Sequence, residues 1–374
     1  MKFVTNICRF LTGVVFIISG LIKANDPLGF SYKLKEYFEV FGYPSFGPLA
    51  LYIAIFICVF EIALGVAVLF GIAMELTSWL LLLMIVFFTF LTFYSAYFNK
   101  VTDCGCFGDA LHLTPWQSFS KDIVLLVFIL IIFSQRKKIV GMFGMRAGRS
   151  IVIVATLSSL VFSVWCYRHL PVVDFRPYKV GTNISAAMTL PPNAKKSIYQ
   201  TLLYYEKDGV VKEFTDKNYP WQDSTWVYKD TKNILLQKGD EAPIHDFHIE
   251  DADHNDLTEE KLSYEGYNFI LVAYDLKNSD RKVQEKVNQF VVECQKQNIP
   301  FIGLTSTSAE ETDLFRHEVQ AMYDYYFCDG TALQTFIRSN PGLVLLKGGT
   351  VIRMWHHNDF PQFDELSKQY GMTK

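Results

Sequence analysis

The chain has 374 residues, of which 50% are hydrophobic and only 20% are charged. Soluble proteins carry about 25% charged residues, so this composition argues against a wholly soluble chain. A formal net charge of -3 provides no basic field for nucleic acid, and seven scattered cysteines are too few for a disulfide scaffold. The apolar excess lies in the first half, which predicts one unit in lipid followed by one in water.

Five apolar runs occur in the first half of the chain. They cover residues 7–22, 49–70, 78–98, 119–133 and 150–165. Runs of roughly 20 residues cross a bilayer as helices, because only a helix satisfies its own backbone in lipid. The first run has the charge layout of a signal peptide, but no small-x-small cleavage site ends it. The sequence therefore predicts five retained spans in a lipid bilayer.

Between the first two runs, segment 28–43 places apolar residues at helical spacing among charged ones. This pattern is typical of an amphipathic helix lying at the membrane surface. It is equally typical of a packed connector helix, and the sequence does not separate the two.

Basic residues set the predicted orientation. The connection between the fourth and fifth runs holds Arg136, Lys137, Lys138, Arg146 and Arg149. Such clusters remain in the cytoplasm. The chain is therefore predicted to span the cytoplasmic (inner) membrane with its amino terminus on the cytoplasmic side and everything after His169 on the outer side. Lys23, Lys33 and Lys35 then fall on the outer side, against the rule, and the larger cluster decides.

Glu61 lies near the middle of the second run. A charged carboxylate there costs several kcal/mol unless it is paired or protonated. One interpretation is a contact to a proton pathway or a quinone. The other is a neutral, hydrogen-bonded packing residue, which the nearby Gly65 and Gly71 favour because glycine lets helices approach closely.

Two thiols one glycine apart lie in the segment Thr102-Asp103-Cys104-Gly105-Cys106-Phe107-Gly108-Asp109, here called the thiol loop. Cysteines at i and i+2 bond only through a tight ring, and glycine relieves the backbone demand. Strained disulfides exchange easily, and an extracytoplasmic face is where such chemistry persists. The pair therefore favours a redox role, in which one cysteine attacks and the other resolves. A metal site completed by Asp103, Asp109 or His112, and a static disulfide, remain as alternatives.

A redox pair needs a group to which it passes electrons. Cys166, at the outer end of the fifth run, is the internal candidate for a resolving thiol, and its alternative role is a small apolar filler. Cys8 and Cys58 lie within apolar runs and are interpreted as core residues.

Three segments carry a family resemblance: Gly20-Leu21-Ile22-Lys23 with Asp26-Pro27, Glu61-Ile62-Ala63-Leu64-Gly65, and Cys104-Gly105-Cys106-Phe107-Gly108-Asp109. Through them residues 1–135 resemble the DoxX/MauE family of small four-helix membrane proteins. The resemblance implies a redox-associated membrane protein whose thiols are Cys104 and Cys106. The MauE-like branch is linked to disulfide formation in exported proteins, and DoxX relatives are linked to quinone-coupled oxidation. The fifth run and the long tail go beyond this family unit.

Residues 169–238 are predicted to form an extracytoplasmic linker and a small β-rich adaptor. The stretch 199–214 alternates around Asp208-Gly209, a strong hairpin signal. Strand-forming residues continue over 221–236, and no catalytic motif occurs in this part.

From Gly239 onward, strand and helix patterns alternate. Strands are predicted at 268–274, 300–304 and 325–328, helices at 281–297, 310–322 and 331–338, and a hairpin over 342–355 with a helix at 360–370. Such alternation predicts a mixed sheet with both faces covered.

Two further segments, Gly239-Asp240-Glu241-Ala242-Pro243 and Asn340-Pro341-Gly342-Leu343-Val344-Leu345, resemble the thioredoxin-like fold in its peroxiredoxin or TlpA-like form. The resemblance implies that Pro341 is cis. Catalytic cysteines of that family follow the first buried strand, where this chain has Asp275-Leu276-Lys277-Asn278-Ser279-Asp280. Without a thiol the domain cannot exchange disulfides by the family route. Residues 239–374 are therefore interpreted as a docking domain for a protein partner.

The remaining chemistry-bearing residues carry weaker signals. Cys294 and Cys328 are interpreted as core residues. His356 and His357 with Asp359 make a poor metal site, because adjacent residues on a strand point to opposite faces. His245, Asp246 and His248 are equally weak, and no metal is predicted.

The sequence leaves two functions open. One is a membrane redox protein with Cys104 and Cys106 at the outer surface, a docking domain that binds an exported protein or covers the loop, and a quinone near Glu61. The other is a non-enzymatic scaffold with a permanent cysteine staple. The predicted units are a four-helix domain over 1–135, a basic loop and fifth span over 136–168, the linker and adaptor, and a thioredoxin-like α/β domain.

Overall fold

A computed structural model of the chain describes residues 2–101, 108–111, 113–190, 193–195, 198–237 and 239–372. Its first part consists of helices α1 (Lys2–Asn25), α2 (Pro27–Val40), α3 (Ala50–Phe70), α4 (Met74–Phe98), α5 (Pro115–Gln135) and α6 (Met145–His169). Helices α1, α3, α4, α5 and α6 are long and apolar enough to cross a membrane. Each of them coincides with or contains one of the five predicted apolar runs, except that α3 begins one residue after its run.

Helix α5 begins earlier than its apolar run predicts. A capping box fixes the start, because the side chains of Thr114 and Gln117 each accept the other's backbone N–H, at 3.3 and 3.0 Å. Asp122 interrupts the apolar pattern one turn later, yet it is buried and accepts a hydrogen bond from Thr92 Oγ1 at 3.0 Å. Lys121 Nζ lies 2.9 Å from the same carboxylate. Because Asp122 and Lys121 are paired within the bundle, their charges do not prevent α5 from being a span, although a hydropathy pattern counts them against it.

Glycines bring α1 and α3 into close contact. A Cβ on Gly65 would lie 3.0 Å from the carbonyl oxygen of Gly13, and a Cβ on Gly13 would lie 3.0 Å from that of Gly65. Backbones approach this closely only where side chains are small, as predicted for Gly65. Gly71 instead ends α3 in the left-handed region, with a φ of 70°.

The far end of the bundle carries the basic connection. Arg9 of α1 donates to the carbonyl oxygens of Val68 and Leu69 at 3.2 and 3.3 Å, which satisfies the end of α3. The N–H of Met142 donates to the Phe70 carbonyl at 3.0 Å. The connection between α5 and α6 therefore lies at this end, opposite to Asn25.

Helix α2 is the packed connector of the two alternatives. Asp26 caps it by accepting the N–H of Gly29 at 2.8 Å, and Pro27 occupies the first turn, where a missing N–H costs nothing. Phe30 and Leu34 are buried in a cluster with apolar residues of α3. The opposite face of α2 carries its charged residues.

A three-stranded antiparallel sheet follows the short helix α7 (Ile184–Ala187). Its strands are β1 (Ile198–Lys207), β2 (Val210–Thr215) and β3 (Val227–Gln237), in the order β2-β1-β3. Asp208 and Gly209 have φ values of 53° and 78°, which a tight turn between twisted strands requires. The predicted hairpin is confirmed.

The last part holds a five-stranded mixed sheet. Its elements are α8 (Thr258–Leu262), β4 (Tyr267–Val272), α9 (Gln284–Lys296), β5 (Phe301–Thr305), α10 (Ala309–Val319), β6 (Tyr325–Phe327), α11 (Gly330–Phe336), β7 (Gly342–Lys347), β8 (Thr350–His356) and α12 (Phe363–Tyr370). The strand order is β6-β5-β4-β7-β8, with β4, β5 and β6 parallel and β7 antiparallel to both its neighbours. The alternating pattern thus predicted the kind of sheet correctly.

Both faces of this sheet are covered. Phe269 and Leu271 of β4 belong to a buried cluster with residues of α9 and α12. Ile270 and Val272, pointing the other way, share a cluster with residues of α11 and with Ile184. The chain that leaves α6 therefore packs onto this sheet before it enters the three-stranded one.

The last part of the chain is seated on one end of the helical bundle. Asn25 exchanges two hydrogen bonds with the backbone of Val173, at 2.7 and 3.0 Å. His169 Nδ1 lies 2.8 Å from the Asp359 carboxylate. The ends of α1 and α6 thus hold the chain that follows α6, here called the water-exposed part, in place.

Candidate functional site

The last two residues of the thiol loop, Gly108 and Asp109, lie at this junction. Residues 102–107, which include Cys104 and Cys106, and His112 lie outside the described residues. The described chain resumes with a 3-10 turn, Gly108–Ala110. Asp109 in this turn is bound to the other half of the chain, so the surroundings of Asp109 define what flanks the loop.

Arg338 joins three segments that are distant in sequence. Its Nε donates to Asp26 Oδ2 at 2.7 Å, its Nη2 donates to Asp109 Oδ2 at 3.0 Å, and its Nη1 donates to the Gln334 carbonyl. The residue is only 6% exposed. Burial alone would lower the pKa of the guanidinium, but Asp26 and Asp109 outweigh it and raise this pKa above its usual range. The contact is therefore a permanently charged clamp between the start of α2, the end of the thiol loop and the segment before Pro341.

The mixed sheet also faces the bundle along the edge formed by strand ends, where the central strand β4 reaches its carboxyl end. Tyr274, two residues past β4, accepts a hydrogen bond from the Tyr32 hydroxyl of α2 at 2.9 Å. Asn340 ties the next segment to this edge, because its Nδ2 donates to the Asp275 carbonyl at 2.7 Å. The Asn340–Pro341 peptide bond is cis. The thiol-free loop after β4, Pro341 and the Arg338 clamp thus share the edge that faces α2 and Asp109.

A serine, a histidine and an aspartate meet behind this edge, which sequence reasoning missed. Ser339 Oγ lies 3.1 Å from His357 Nδ1, and His357 Nε2 lies 3.6 Å from Asp280. Ser339 is 2% exposed, accepts the His357 backbone N–H and donates to the Pro341 carbonyl. These bonds hold the Pro341 segment in place, and the buried hydroxyl presents no nucleophile to solvent.

Glu61 is part of a buried ion pair within the helices. Its carboxylate lies 2.6 Å from Lys23 Nζ of α1, and both side chains are at most 5% exposed. Lys23 also donates to Ser19 Oγ at 3.0 Å. By the charge rule, Lys23 counted among the basic residues predicted on the outer side. The structure buries this lysine, which therefore does not count among the charges of the connections.

The cysteines that the structure describes are free and buried. They are Cys8, Cys58, Cys166, Cys294 and Cys328. Cys166, the candidate resolving thiol, is only 1% exposed at the end of α6. Burial raises the pKa of the Cys328 thiol to about 12 and also raises that of Cys294, so neither forms a thiolate readily.

The histidines considered as ligands are engaged in other contacts. Strand β8 ends at His356, so the alternation used to separate His356 from His357 stops there, and their rings lie 4.0 Å apart. That separation was predicted wrongly. Asp359 pairs with His169, and His245 pairs with Asp246 at 2.9 Å.

Comparisons with known proteins agree with the division seen in the structure. Residues 1–135 match the family profile of the methylamine utilisation protein MauE, and this match ends where α5 ends. Residues 199–238 match a domain family of unknown function, DUF8463, which coincides with the three-stranded sheet. No curated protein and no solved structure matches the chain.

Proposed function

We propose that this chain is a membrane thiol–disulfide oxidoreductase of the cytoplasmic (inner) membrane, with Cys104 and Cys106 as its reacting pair. The observation that carries the proposal is the Arg338 clamp. Asp109, three residues past Cys106, is bound at 3.0 Å to a buried arginine of the water-exposed part. A docked domain at the end of a loop with two cysteines is the arrangement expected where that loop meets a protein partner.

The fit to MauE over residues 1–135 supports a redox context for the bundle, since the Cys-Gly-Cys-Phe-Gly segment is the part that resembles the MauE-like branch. The fifth span, α6, is an addition that carries the chain back to the side of the thiol loop. This return lets one polypeptide place its own domain on the loop.

We assign the last domain to the thioredoxin-like fold. Strands β5, β4, β7 and β8 with helices α9 and α12 reproduce its connectivity, in which two parallel strands and an antiparallel hairpin share one sheet. The position after β4 carries Asp275 to Asp280 and no cysteine. We therefore assign this domain to binding and positioning a partner protein. The sulfur chemistry is assigned to the thiol loop.

The exchange itself needs only the two sulfurs and a partner dithiol or disulfide. A thiolate of the reduced loop attacks a partner disulfide and forms a mixed disulfide while one partner sulfur leaves as thiolate. The second loop thiolate attacks the loop sulfur of that mixed disulfide and releases the other partner sulfur. Two electrons move from the loop to the partner, and the same steps reversed oxidise a partner dithiol.

The buried pair of Glu61 and Lys23 is assigned to helix packing. Each charge has its counter-ion at 2.6 Å, which is what a carboxylate in the middle of a bundle requires. The pairing accounts for both residues without the quinone that the DoxX resemblance implies, so no step is routed through a quinone.

The domain is proposed to lie outside the cytoplasm. The basic residues of the connection between α5 and α6 lie at the end of the bundle opposite to Asp26 and Asp109. Clusters of this kind stay in the cytoplasm, which supports an outer position for the junction and the thiol loop.

The proposal is tested by the reduction potential of Cys104–Cys106 in the intact protein in nanodiscs, read by thiol labelling in a series of redox buffers. A potential above about -300 mV marks an exchangeable pair, whereas a structural staple lies below it. Cys104→Ser should abolish oxidation of a reduced dithiol peptide, and Cys294→Ser, which removes a buried thiol elsewhere, should not. A pair that stays oxidised in strong reductant would establish the scaffold instead.

A further inference from the structure

A cavity of about 760 Å³ lies between the helical bundle and the water-exposed part. One wall is the outer end of α1 with the charged face of α2, and the opposite wall is α11 with Arg338. The chain over 171–178 and over 243–246 closes the sides. Gly108 and Asp109 contribute to the lining, so the cavity adjoins the end of the thiol loop.

The lining combines apolar surface with charges of both signs. Phe175 contributes a ring that is 42% exposed, and prolines of the two side segments add further apolar area. On α2, Lys33 and Glu36 form a pair at 3.2 Å at the rim. Arg338 is already engaged with Asp26 and Asp109, so it forms part of the cavity wall. The charged groups that a ligand would contact are therefore those at the rim.

This chemistry fits a stretch of polypeptide better than a compact ion. Ligand sites of about 300–1,000 Å³ are mostly apolar with a few placed polar groups, and a peptide offers both apolar side chains and backbone donors and acceptors. A near balance of acidic and basic groups selects for no strong net charge. Cys106 precedes Gly108 by two residues, and two residues of chain span about 7 Å at most.

We propose that the cavity is the docking site for an extended, cysteine-bearing segment of a partner protein. The inference rests on the proposed thiol exchange and adds where the partner lies: between α2 and α11, with its cysteine directed at the loop. The thioredoxin-like domain then serves as one wall of the substrate site.

The test fills the cavity from α11 with Thr335→Trp and from α2 with Lys35→Trp. Thr189→Trp is the matched control, because Thr189 is exposed away from the cavity and its hydroxyl, like that of Thr335, donates to a backbone carbonyl at 2.8 Å. Binding of a fluorescent unstructured peptide with one cysteine is followed by anisotropy, on protein that also carries Cys104→Ser and Cys106→Ser. Because this readout needs no loop thiols, it is independent of the exchange chemistry.

Both cavity variants should weaken peptide binding by about tenfold or more, and Thr189→Trp should leave it unchanged. With the loop cysteines intact, both should slow oxidation of a dithiol peptide but not of dithiothreitol, which needs no docking site. Unchanged peptide affinity in the two folded cavity variants would overturn the docking site while leaving the exchange proposal intact. A loop that reacts with neither dithiol would overturn the exchange proposal, and the anisotropy would still decide the docking site.

Discussion

Arg338 and Asp109 are 229 positions apart in the chain, and Arg338 Nη2 donates to Asp109 Oδ2 at 3.0 Å. The same guanidinium binds Asp26, so one buried cation holds carboxylates from two connections of the membrane bundle. Loss of the cation would leave both carboxylates without their counter-ion. The position of the domain that holds the five-stranded sheet is therefore coupled to the end of the thiol loop.

Replacing Arg338 by Met should release the domain from the bundle. Removing one partner of a buried pair costs about 3–5 kcal/mol, here because Asp26 and Asp109 would remain close together with no counter-ion. We expect faster proteolysis of the segment between α6 and α7 and faster hydrogen exchange at the Gly29 amide. Arg281→Met is the control, since Arg281 and Glu318 form an exposed pair at 3.2 Å that contributes about 0–1 kcal/mol.

Arg338→Lys refines this test. A lysine keeps the charge but lacks the fork that reaches two carboxylates at once, so protection should be intermediate. Wild-type proteolysis and exchange in Arg338→Met would show that the backbone contacts of Asn25 and Val173 hold the domain without the clamp.

The ion pair of Lys23 and Glu61 should behave as a packing unit. Lys23→Met or Glu61→Leu alone leaves one buried charge and should cost about 3–5 kcal/mol, whereas the double variant should recover most of the loss. Unfolding in lipid nanodiscs measures the cycle. A Glu61→Leu protein that remains as stable as the wild type but loses thiol exchange would assign Glu61 to the chemistry instead.

Local patterns predicted much of this architecture because their physical causes are local. The five apolar runs, the Asp208-Gly209 turn and the mixed sheet each follow from periodicity or turn chemistry within a few residues. The predicted role of Gly65 depends only on its small size at a helix contact.

Long-range pairing accounts for what the sequence did not reveal. Lys23 was counted among the outer basic residues because its partner, Glu61, lies in another helix. The burial of Asp122 likewise depends on Thr92 of a neighbouring helix. Arg338 gave no local signal, since an arginine at the end of an amphipathic helix is ordinarily exposed. Asp26 was noticed only as part of a family motif, although it both caps α2 and binds Arg338.

Only the loop cysteines should react with a maleimide in the reduced native protein. Cys166, Cys294 and Cys328 are at most 8% exposed, so the reagent does not reach their thiols in the folded protein. Mass spectrometry should find two labels per chain after mild reduction, one in Cys104→Ser, and none in the oxidised protein. All seven cysteines should react after reduction and unfolding. Labelling of Cys166 as fast as the loop would restore it as the resolving thiol.

Mild acid should destabilise the domain junction through His356. This residue is 4% exposed at the end of β8, and burial, His357 and His169 lower the pKa of its imidazole to about 3. The imidazole of an unfolded histidine has a pKa of about 6.5. The stabilisation of the fold by neutral His356 is therefore complete above that pH. Below it the unfolded chain binds a proton that the folded chain rejects, and the free energy of unfolding falls by about 1.4 kcal/mol per pH unit until the pH nears the folded pKa.

Thermal unfolding between pH 5 and pH 6.5, above the range in which carboxylates titrate, measures this effect. The melting temperature should decline less steeply with falling pH in His356→Gln than in the wild type. His254→Gln, which alters a side chain that is 85% exposed, is the control and should keep the wild-type slope. Equal slopes in all three proteins would mean that His356 accepts its proton without disturbing the fold.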